Sequence, residues 1–403
     1  MIRSLELFCG AGGLALGLHQ AGFSPVALLE WDRNSCDSVN ANIVKNDSNI
    51  SEWRVMQTDV RQVCFSDYGS DIQFITGGPP CQPFSLGGKH KSFNDRRDMF
   101  PEAVRAVREL RPQGFIFENV RGLLRKSFSA YFSYIILQLS HPEVIAKDGM
   151  DWMEHLKLLE EYHTSSSSKG LEYNVVYRLV NAADYGVPQQ RHRVIIVGFR
   201  SDIDAHWSFP EPTHTKEALM YAKAGDDSYW EEHRIAKKNR PELSGAELLS
   251  AQMIDKSILG ERWRTVRDAI AGLPDPKDRS VGFINHEYRD GARPYAGHSG
   301  SILDEPSKTI KAGAHGVPGG ENTFIPDDGA LRYYTVRESA RIQTFPDDYL
   351  FLGSWSESMR QIGNAVPVKL ANIIGESVVK QMDRMGIIDA TSRKAGIKAV
   401  QPA

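Results

Sequence analysis

The sequence predicts an α/β protein with a doubly wound sheet and a second, smaller, loop-rich domain. Apolar runs with strand-like patterns are followed by glycine-rich or acidic turns, and several of these turns lead into segments with helical spacing. This regularity fades from about residue 201 to 331 and returns at residue 335. We therefore place a large domain at 1–200, a small domain at 201–352 and a return to the large domain at 353–403.

Composition excludes several classes of protein. The 403 residues are 41% hydrophobic and 25% charged, without an apolar run long enough to span a membrane or serve as a signal peptide, so we expect a cytoplasmic protein. The 4 cysteines are scattered, which argues against a disulfide framework and against a metal site. A net charge of -3 does not indicate a nucleic-acid binder, so local charge has to be inspected instead.

The first predicted unit is a strand, a glycine turn and a helix. The strand runs from Ser4 to Phe8, the helix ends at Gly22, and a second strand from Val26 to Leu29 leads to Glu30. Glu30 follows Gly10 at the spacing of about 20 residues at which nucleotide-binding units place a carboxylate on ribose hydroxyls. The turn reads G-A-G-G, so it is neither a good dinucleotide fingerprint nor a P-loop.

The remaining elements follow in order along the chain. We predict strands at 54–57, 72–76 and 115–117, helices at 99–110 and 128–139, a strand pair at 173–180 and 193–199, and a last helix at 368–382. The polar stretch 141–172 is interpreted as a surface insertion without assigned chemistry, and the tail 389–403 as loose.

One cysteine occupies an unusual position. Cys81 lies in the string GGPPCQPFS, just after the predicted strand at 72–76, on a turn that two prolines stiffen and two glycines leave open. A cysteine chosen at random is more often a small core residue, but these neighbours favour a reactive thiol. Basic residues follow it immediately, with Lys89, Lys91, Arg96 and Arg97 against the single acid Asp95.

Five segments of the sequence carry a resemblance to a known family. They are FCGAGG at 8–13, GGPPCQPFS at 77–85, ENV at 118–120, the Gln-x-Arg-x-Arg pattern at 189–193 and QIGNAVP at 361–367. Together they resemble the DNA (cytosine-5) methyltransferase family, in its prokaryotic modification-enzyme form. They occur in the family's order. The resemblance implies a Rossmann-like sheet that uses S-adenosylmethionine, with residues 201–352 as the target-recognition domain.

The resemblance also implies roles for four catalytic residues. Cys81 would add to carbon 6 of cytosine, and Glu118 would protonate or hydrogen-bond ring nitrogen 3. Arg191 would hold the exocyclic oxygen, and Arg193 would support the pocket or its carboxylate. No residue is assigned to removal of the carbon 5 proton, for which water is an alternative.

The cofactor implied is S-adenosyl-L-methionine. Glu30 would bind its ribose, Trp31 would stack on adenine, and Phe8 would face the sulfonium. Asp59 would contact the adenine amino group, although an aspartate after a strand is commonly a helix cap. The full set of predicted cofactor-binding residues is Phe8, Gly10, Gly12, Gly13, Glu30, Trp31, Asp59, Val60, Pro79 and Asn364.

The expected partner is double-stranded DNA. A stacked base hides carbon 6, so the cytosine must be flipped out, and the basic residues from Lys89 to Arg97 would close over the DNA. We expect a monomer and a cognate restriction endonuclease acting on the same site. Three alternatives remain: a tRNA cytosine-5 methyltransferase of the same architecture, a catalytically silent nucleic-acid-binding relative, and a nicotinamide-dependent oxidoreductase.

Overall fold

The computed structural model describes most of the chain. It covers residues 1–45, 50–80, 98–165, 170–242, 244–255, 259–278, 280, 282–294, 299–312 and 322–388. Cys81, the basic residues from Lys89 to Arg97 and the tail 389–403 lie outside the described residues, so the predictions for them stay predictions.

A seven-stranded sheet forms the centre of the large domain. Its strands are β1 (Ile2–Leu7), β2 (Phe23–Glu30), β3 (Val55–Gln57), β4 (Phe74–Gly77), β5 (Gly114–Val120), β6 (Tyr173–Asn181) and β7 (His192–Arg200). The order is β3-β2-β1-β4-β5-β7-β6, and only β7 pairs antiparallel with its neighbours. All the predicted strands are confirmed, with boundaries shifted by a few residues. The carboxyl ends of β1, β2, β4 and β5 meet at one edge, where open α/β sheets bind ligands.

The helices cover the sheet and extend into the small domain. They are α1 (Gly13–Ala21), α2 (Arg33–Lys45), α3 (Phe100–Leu110), α4 (Ser129–Ser140), α5 (Trp152–Thr164), α6 (Lys216–Ala224), α7 (Ser228–Glu232), α8 (Gly245–Gln252), α9 (Val266–Ile270), α10 (Val336–Ile342), α11 (Trp355–Asn364) and α12 (Val368–Arg384). Short strands complete the chain: β8 (His214–Thr215), β9 (Glu261–Arg262), β10 (Ser301–Ile302), β11 (Thr323–Ile325) and β12 (Arg332–Tyr333). Among the described residues no helix combines the length and the apolar character needed to cross a bilayer.

The last helix packs against the first. A Cβ atom at Gly17 of α1 would lie 2.3 Å from the carbonyl oxygen of Val368 and 2.5 Å from the Cβ of Ala371 in α12, so only glycine permits this approach. The predicted end of α1 is confirmed, because Gly22 adopts φ 107° there. The first and last helices thus pack in one apolar cluster with residues of the sheet.

The insertion 141–172 contains a helix that the sequence analysis did not predict. Only His155 and Leu159 of α5 are buried, so its apolar periodicity is faint. A capping box between Asp151 and Glu154 was the available signal. Leu159 is fully buried and joins the apolar core under α4, which makes the insertion part of the large domain's packing.

Residues of the predicted small domain share an apolar core with the glycine turn. Cys9, Leu28 and Val39 from the large domain belong to the same buried cluster as Ile310 and Tyr334. A hydrogen bond from the Tyr349 hydroxyl to the carbonyl oxygen of Ala11, at 2.8 Å, fixes this contact in the middle of the turn. The small domain therefore supports the turn directly.

Candidate active site

One cavity of about 660 Å³ lies at the carboxyl edge of the sheet. Its walls come from the ends of β1, β2, β4 and β5 and from α11, so residues far apart in sequence meet there. The lining residues include Phe8, Gly10, Glu30, Trp31, Asp32, Asp59, Val60, Pro79, Pro80, Met99, Glu118, Asn119, Arg360 and Asn364. Eight of the ten predicted cofactor-binding residues are in this set, together with Glu118.

The turn after β1 adopts a backbone that few residues tolerate. Gly10 has φ 52° and Phe8 has φ 57°, both in the left-handed region. A Cβ atom at Gly10 would meet no atom within 4 Å, so a side chain would fit there. Glycine is favoured at this position because of the left-handed backbone conformation. Phe8 has the same backbone conformation although it carries a side chain, so its backbone is strained, as is common at functional sites.

Glu30 joins the ends of the first two strands. Its Oε2 atom accepts a hydrogen bond from the Gly10 N–H at 2.8 Å, and its Oε1 atom accepts from the Trp31 N–H at 3.0 Å and the Asp32 N–H at 2.9 Å. The side chain is 8% exposed, and burial raises the pKa of its carboxyl. Because a carboxylate offers about four acceptor positions, one remains for a ligand hydroxyl.

Trp31 and Asp59 face the same cavity from neighbouring strand ends. The Trp31 ring is exposed, in contrast to the buried tryptophans of the core, and it is available for stacking. Asp59 accepts from the Arg61 N–H at 3.0 Å and caps the short 3-10 turn that begins at Val60. The Arg61 guanidinium lowers the pKa of the Asp59 carboxyl. Asp59 is thus both a cap and a lining residue.

Gly12 and Gly13, two of the predicted cofactor-binding residues, are not among the residues that line the cavity. A Cβ at Gly13 would lie 2.5 Å from the carbonyl oxygen of Val366, and one at Gly12 would lie 3.1 Å from the Tyr349 hydroxyl. Gly13 therefore permits close packing of α1 against the returning chain, and Gly12 permits close packing of the turn against Tyr349. A glycine pattern alone cannot distinguish this packing from contact with a ligand.

Glu118 and Arg193 form a buried ion pair. The Nε atom of Arg193 lies 2.6 Å from Oε1 of Glu118, and both side chains are about a tenth exposed. Burial lowers the pKa of the Arg193 guanidinium, and the charge of Glu118 opposes that shift. Gly78 passes beside the carboxylate, since a Cβ there would lie 3.4 Å from Oε2. The pair orients a carboxyl group toward the cavity.

Arg191, which the resemblance predicts to hold the exocyclic oxygen of a base, has its guanidinium bound to backbone carbonyl oxygens. It is fully buried, does not line the cavity, and donates to the carbonyl oxygens of Ile310 at 3.1 Å, Gly363 at 2.7 Å and Ala365 at 2.9 Å. Burial lowers the pKa of its guanidinium. Arg191 precedes β7, whereas Arg193 lies within it opposite Val120 of β5, so only Arg193 reaches Glu118. Arg191 fastens the small domain and α11 to the sheet.

Two further interactions were missed by the sequence analysis. Asn119, to which no role was assigned, donates from Nδ2 to the Pro79 carbonyl oxygen at 2.8 Å and holds the turn after β4. Arg360 of α11 donates to the Asp32 carboxylate at 2.5 Å, and both residues line the cavity. Asn119 belongs to the ENV string, so the sequence offered a signal for the first interaction. No sequence pattern connects residues 32 and 360.

One group of acidic and histidine side chains in the described part of the chain has the spacing of metal ligands. It consists of Glu232, His233 and Asp268. Arg262 already donates to Asp268 at 2.7 Å and to Glu232 at 2.8 Å, so a cation from the protein neutralises these carboxylates. We assign no metal to this group.

The mostly parallel sheet, its glycine turn, and the acidic residues at the ends of β2 and β5 define a Rossmann-like α/β methyltransferase. The chain belongs to the C-5 cytosine-specific DNA methylase family, whose model matches residues 2–142 and 153–380. The resemblance inferred from the sequence is therefore confirmed.

Named relatives agree with this assignment. The chain is 33% identical over 386 residues to the Type II methyltransferase M.PspPI of Psychrobacter sp. (strain TA137), covering 94% of this chain and 79% of that protein. It is 31% identical to the Type II methyltransferase M.NgoMIV of Neisseria gonorrhoeae, covering 94% and 98% of the two chains. The fold resembles a mutant of Spodoptera frugiperda DNMT2, with a TM-score of 0.56 at 17% identity over 94% of this chain and 100% of the other. The enzyme is thus a C-5 cytosine-specific DNA methyltransferase.

Proposed function

We propose that this protein transfers a methyl group from S-adenosylmethionine to carbon 5 of a flipped-out cytosine in a short, specific duplex DNA sequence. The observation that carries the proposal is the continuity of the cavity. Glu30 and Trp31 line it together with Glu118 and Pro80, the residue before Cys81. A nucleoside cofactor and a base can therefore meet in one space, whose wall includes the residue that precedes Cys81 in the sequence.

The residues around the glycine turn fit an adenosine cofactor that carries no pyrophosphate. Glu30 has one acceptor position left for a ribose hydroxyl, and the exposed Trp31 ring offers a stacking surface for adenine. Asn364 and the turn at Gly10 lie around the remaining space. When bound there, S-adenosylmethionine supplies the electrophilic methyl group.

The proposed chemistry makes carbon 5 of cytosine nucleophilic. The Cys81 thiolate adds to carbon 6, which forms a carbon–sulfur bond, while Glu118 donates a proton or hydrogen bond to ring nitrogen 3. The Arg193 guanidinium holds the Glu118 carboxyl in position at 2.6 Å. The methyl group would pass to carbon 5, and S-adenosylhomocysteine would leave. A base then removes the carbon 5 proton, the carbon–sulfur bond breaks and returns the thiolate, and ring nitrogen 3 gives up any proton it received.

We further propose that the enzyme is the modification component of a restriction-modification system and acts as a monomer in the cytoplasm. Relatives named Type II methyltransferases, matched over 94% of this chain, support the first part. Base flipping is needed because a stacked cytosine hides carbon 6 from a side chain. Residues 201–352 would read the flanking sequence.

The test is covalent trapping on a duplex that carries 5-fluorocytosine in mixed sequence contexts. Fluorine cannot leave as a proton, so the enzyme with S-adenosylmethionine should form an adduct that survives denaturing electrophoresis and maps to Cys81. Sequencing the trapped duplexes would give the target. The matched control is Cys81→Ser, which should bind DNA but form no adduct.

Other outcomes would contradict the proposal. An adduct on fluorinated tRNA, with none on duplex DNA, would move the substrate to RNA. An adduct that maps to a residue other than Cys81 would overturn the nucleophile assignment. Absence of any adduct, with DNA binding retained by the unaltered protein, would favour a silent DNA-binding protein.

A further inference from the structure

Three basic side chains follow directly after β5, whose end carries Glu118. They are Arg121, Arg125 and Lys126, called here the basic surface. From residue 119 to residue 142 the sequence contains these cations and no aspartate or glutamate. The segment is therefore locally positive in a protein of net charge -3.

The basic surface is built on a fixed support. Two consecutive 3-10 turns, Arg121–Leu124 and Lys126–Phe128, carry the first and third of these cations, and Arg125 lies between the turns. Leu123 and Phe128 are buried in the core beneath the sheet. Arg121 and Lys126 are exposed, and Arg125 is half-buried. The cations are therefore carried by a segment that is packed into the core.

The charges of the basic surface are not neutralised within the described part of the protein. None of its three side chains has a carboxylate within salt-bridge distance or donates a side-chain hydrogen bond there. Other arginines of the large domain behave differently, since Arg3 pairs with Asp71 at 2.7 Å and Arg111 pairs with Glu143 at 2.9 Å. Three neighbouring cations without a carboxylate among the described residues leave their charge available to an external anion.

The position of the basic surface relates it to the cavity. Val120 lines the cavity and pairs with Arg193 in the sheet, and Arg121 is the next residue. Burial, together with the positive charge of Arg121, lowers the pKa of His192, which places Arg121 near the start of β7. The cations thus begin beside the wall that holds the Glu118–Arg193 ion pair.

We propose that Arg121, Arg125 and Lys126 bind backbone phosphates of the DNA strand whose cytosine enters the cavity. This inference rests on the proposed function, because it places the substrate base against Glu118. When the base of a nucleotide lies against Glu118, its own phosphate and the neighbouring phosphates lie near the end of β5, where the basic surface begins. Such contacts fix the register of the strand without reading its sequence. They also help to offset the cost of flipping the base.

The test is the salt dependence of DNA binding. The probe is a fluorescein-labelled, mixed-sequence duplex of about 40 base pairs, titrated by anisotropy at several sodium chloride concentrations. The variant Arg121→Gln/Arg125→Gln/Lys126→Gln should bind more weakly. Its slope of log affinity against log salt should be shallower by about 2.7, because each phosphate that the variant leaves unneutralised lowers the slope by about 0.9. The affinity for S-adenosylmethionine, measured by calorimetry, should match that of the parent.

A variant with the same change in charge serves as control. Lys147, Lys157 and Lys380 are exposed and do not line the cavity, so Lys147→Gln/Lys157→Gln/Lys380→Gln should keep the parent slope. If both triple variants reduce the slope equally, general charge is responsible and the proposal fails. It also fails if the basic-surface variant keeps the parent slope on DNA, or shows a reduced slope only with a tRNA probe. A parent protein that methylates no DNA would overturn the proposed function and this inference together, whereas the preceding results overturn the inference alone.

Discussion

Oε2 of Glu30 accepts a hydrogen bond from the backbone N–H of Gly10 at 2.8 Å, across the ends of two neighbouring parallel strands. The bond fixes the left-handed turn at Gly10, while the other carboxylate oxygen fixes the backbone at Trp31 and Asp32. A residue expected to bind ribose therefore also builds the site that receives it. Its loss has a structural consequence as well as a chemical one.

Replacement of Glu30 should weaken cofactor binding, and the size of the loss should depend on the new residue. Glu30→Gln keeps one acceptor oxygen but loses charge, whereas Glu30→Ala removes every bond to the turn. Since a hydrogen bond to a charged group contributes about 1.5–3 kcal/mol, we expect a loss of about 10- to 100-fold in S-adenosylmethionine affinity for Glu30→Ala, and a smaller loss for Glu30→Gln. Calorimetric titration measures both. Equal affinities for the parent and Glu30→Ala would contradict the role.

Replacement of Arg193 should impair methyl transfer more than cofactor binding. Arg193→Met leaves Glu118 as a buried carboxylate without its cation, a change that costs about 3–5 kcal/mol when a buried pair is broken. Arg193→Lys restores a charge without the planar guanidinium and should be intermediate. Single-turnover transfer of labelled methyl groups to unmodified DNA should slow by about 100-fold in Arg193→Met, equivalent to about 2.7 kcal/mol in the barrier. An unchanged rate would remove Arg193 from the site.

Replacement of Arg191 should chiefly destabilise the fold. Arg191→Met removes the donor of the buried Ile310 and Gly363 carbonyl oxygens, while the Ala365 carbonyl oxygen keeps the Gln343 Nε2 donor at 3.2 Å. At about 1–3 kcal/mol for each unsatisfied group, the free energy of unfolding in urea should fall by several kcal/mol. The single-turnover rate of the folded fraction should fall less than in Arg193→Met. A variant with parental stability and a much slower rate would instead support the base-binding role expected from the sequence.

These two arginines illustrate what the sequence could predict. The sequence analysis placed Glu30 and Glu118 at the carboxyl edge of the sheet. The structure has both there, because parallel strands bring their carboxyl ends together irrespective of loop conformation. The motif left open whether Arg193 supports the pocket or its carboxylate, because the contact depends on where β7 begins. The ion pair between residues 360 and 32 joins segments that no local pattern relates. Periodicity thus predicts the sheet, whereas three-dimensional packing decides which polar groups pair.

Glu6, in the strand that leads to the glycine turn, supplies a prediction about pH. This carboxyl of β1 is 1% exposed, and its oxygens accept from the Ala15 N–H at 3.1 Å and the Thr76 hydroxyl at 3.1 Å. Gly12 provides no side-chain cap, so Glu6 satisfies one of the free N–H groups at the start of α1. Burial raises the pKa of Glu6 from 4.5 to about 8.

The direction in which stability changes with pH follows from proton binding. Between pH 4.5 and about 8 the folded state holds a proton on Glu6 that the unfolded state has released, so stability decreases as pH rises through this range. Glu6→Gln imitates the protonated acid, since its carbonyl can accept from Ala15. The free energy of unfolding of the parent should therefore fall by a few kcal/mol more than that of Glu6→Gln between about pH 6 and about pH 9. Urea unfolding at both pH values measures this difference, with Glu143→Gln, whose carboxylate is partly exposed, as control. Parallel pH profiles for the parent and Glu6→Gln would show that Glu6 is ionised in the folded protein, so that α1 begins against a buried charge.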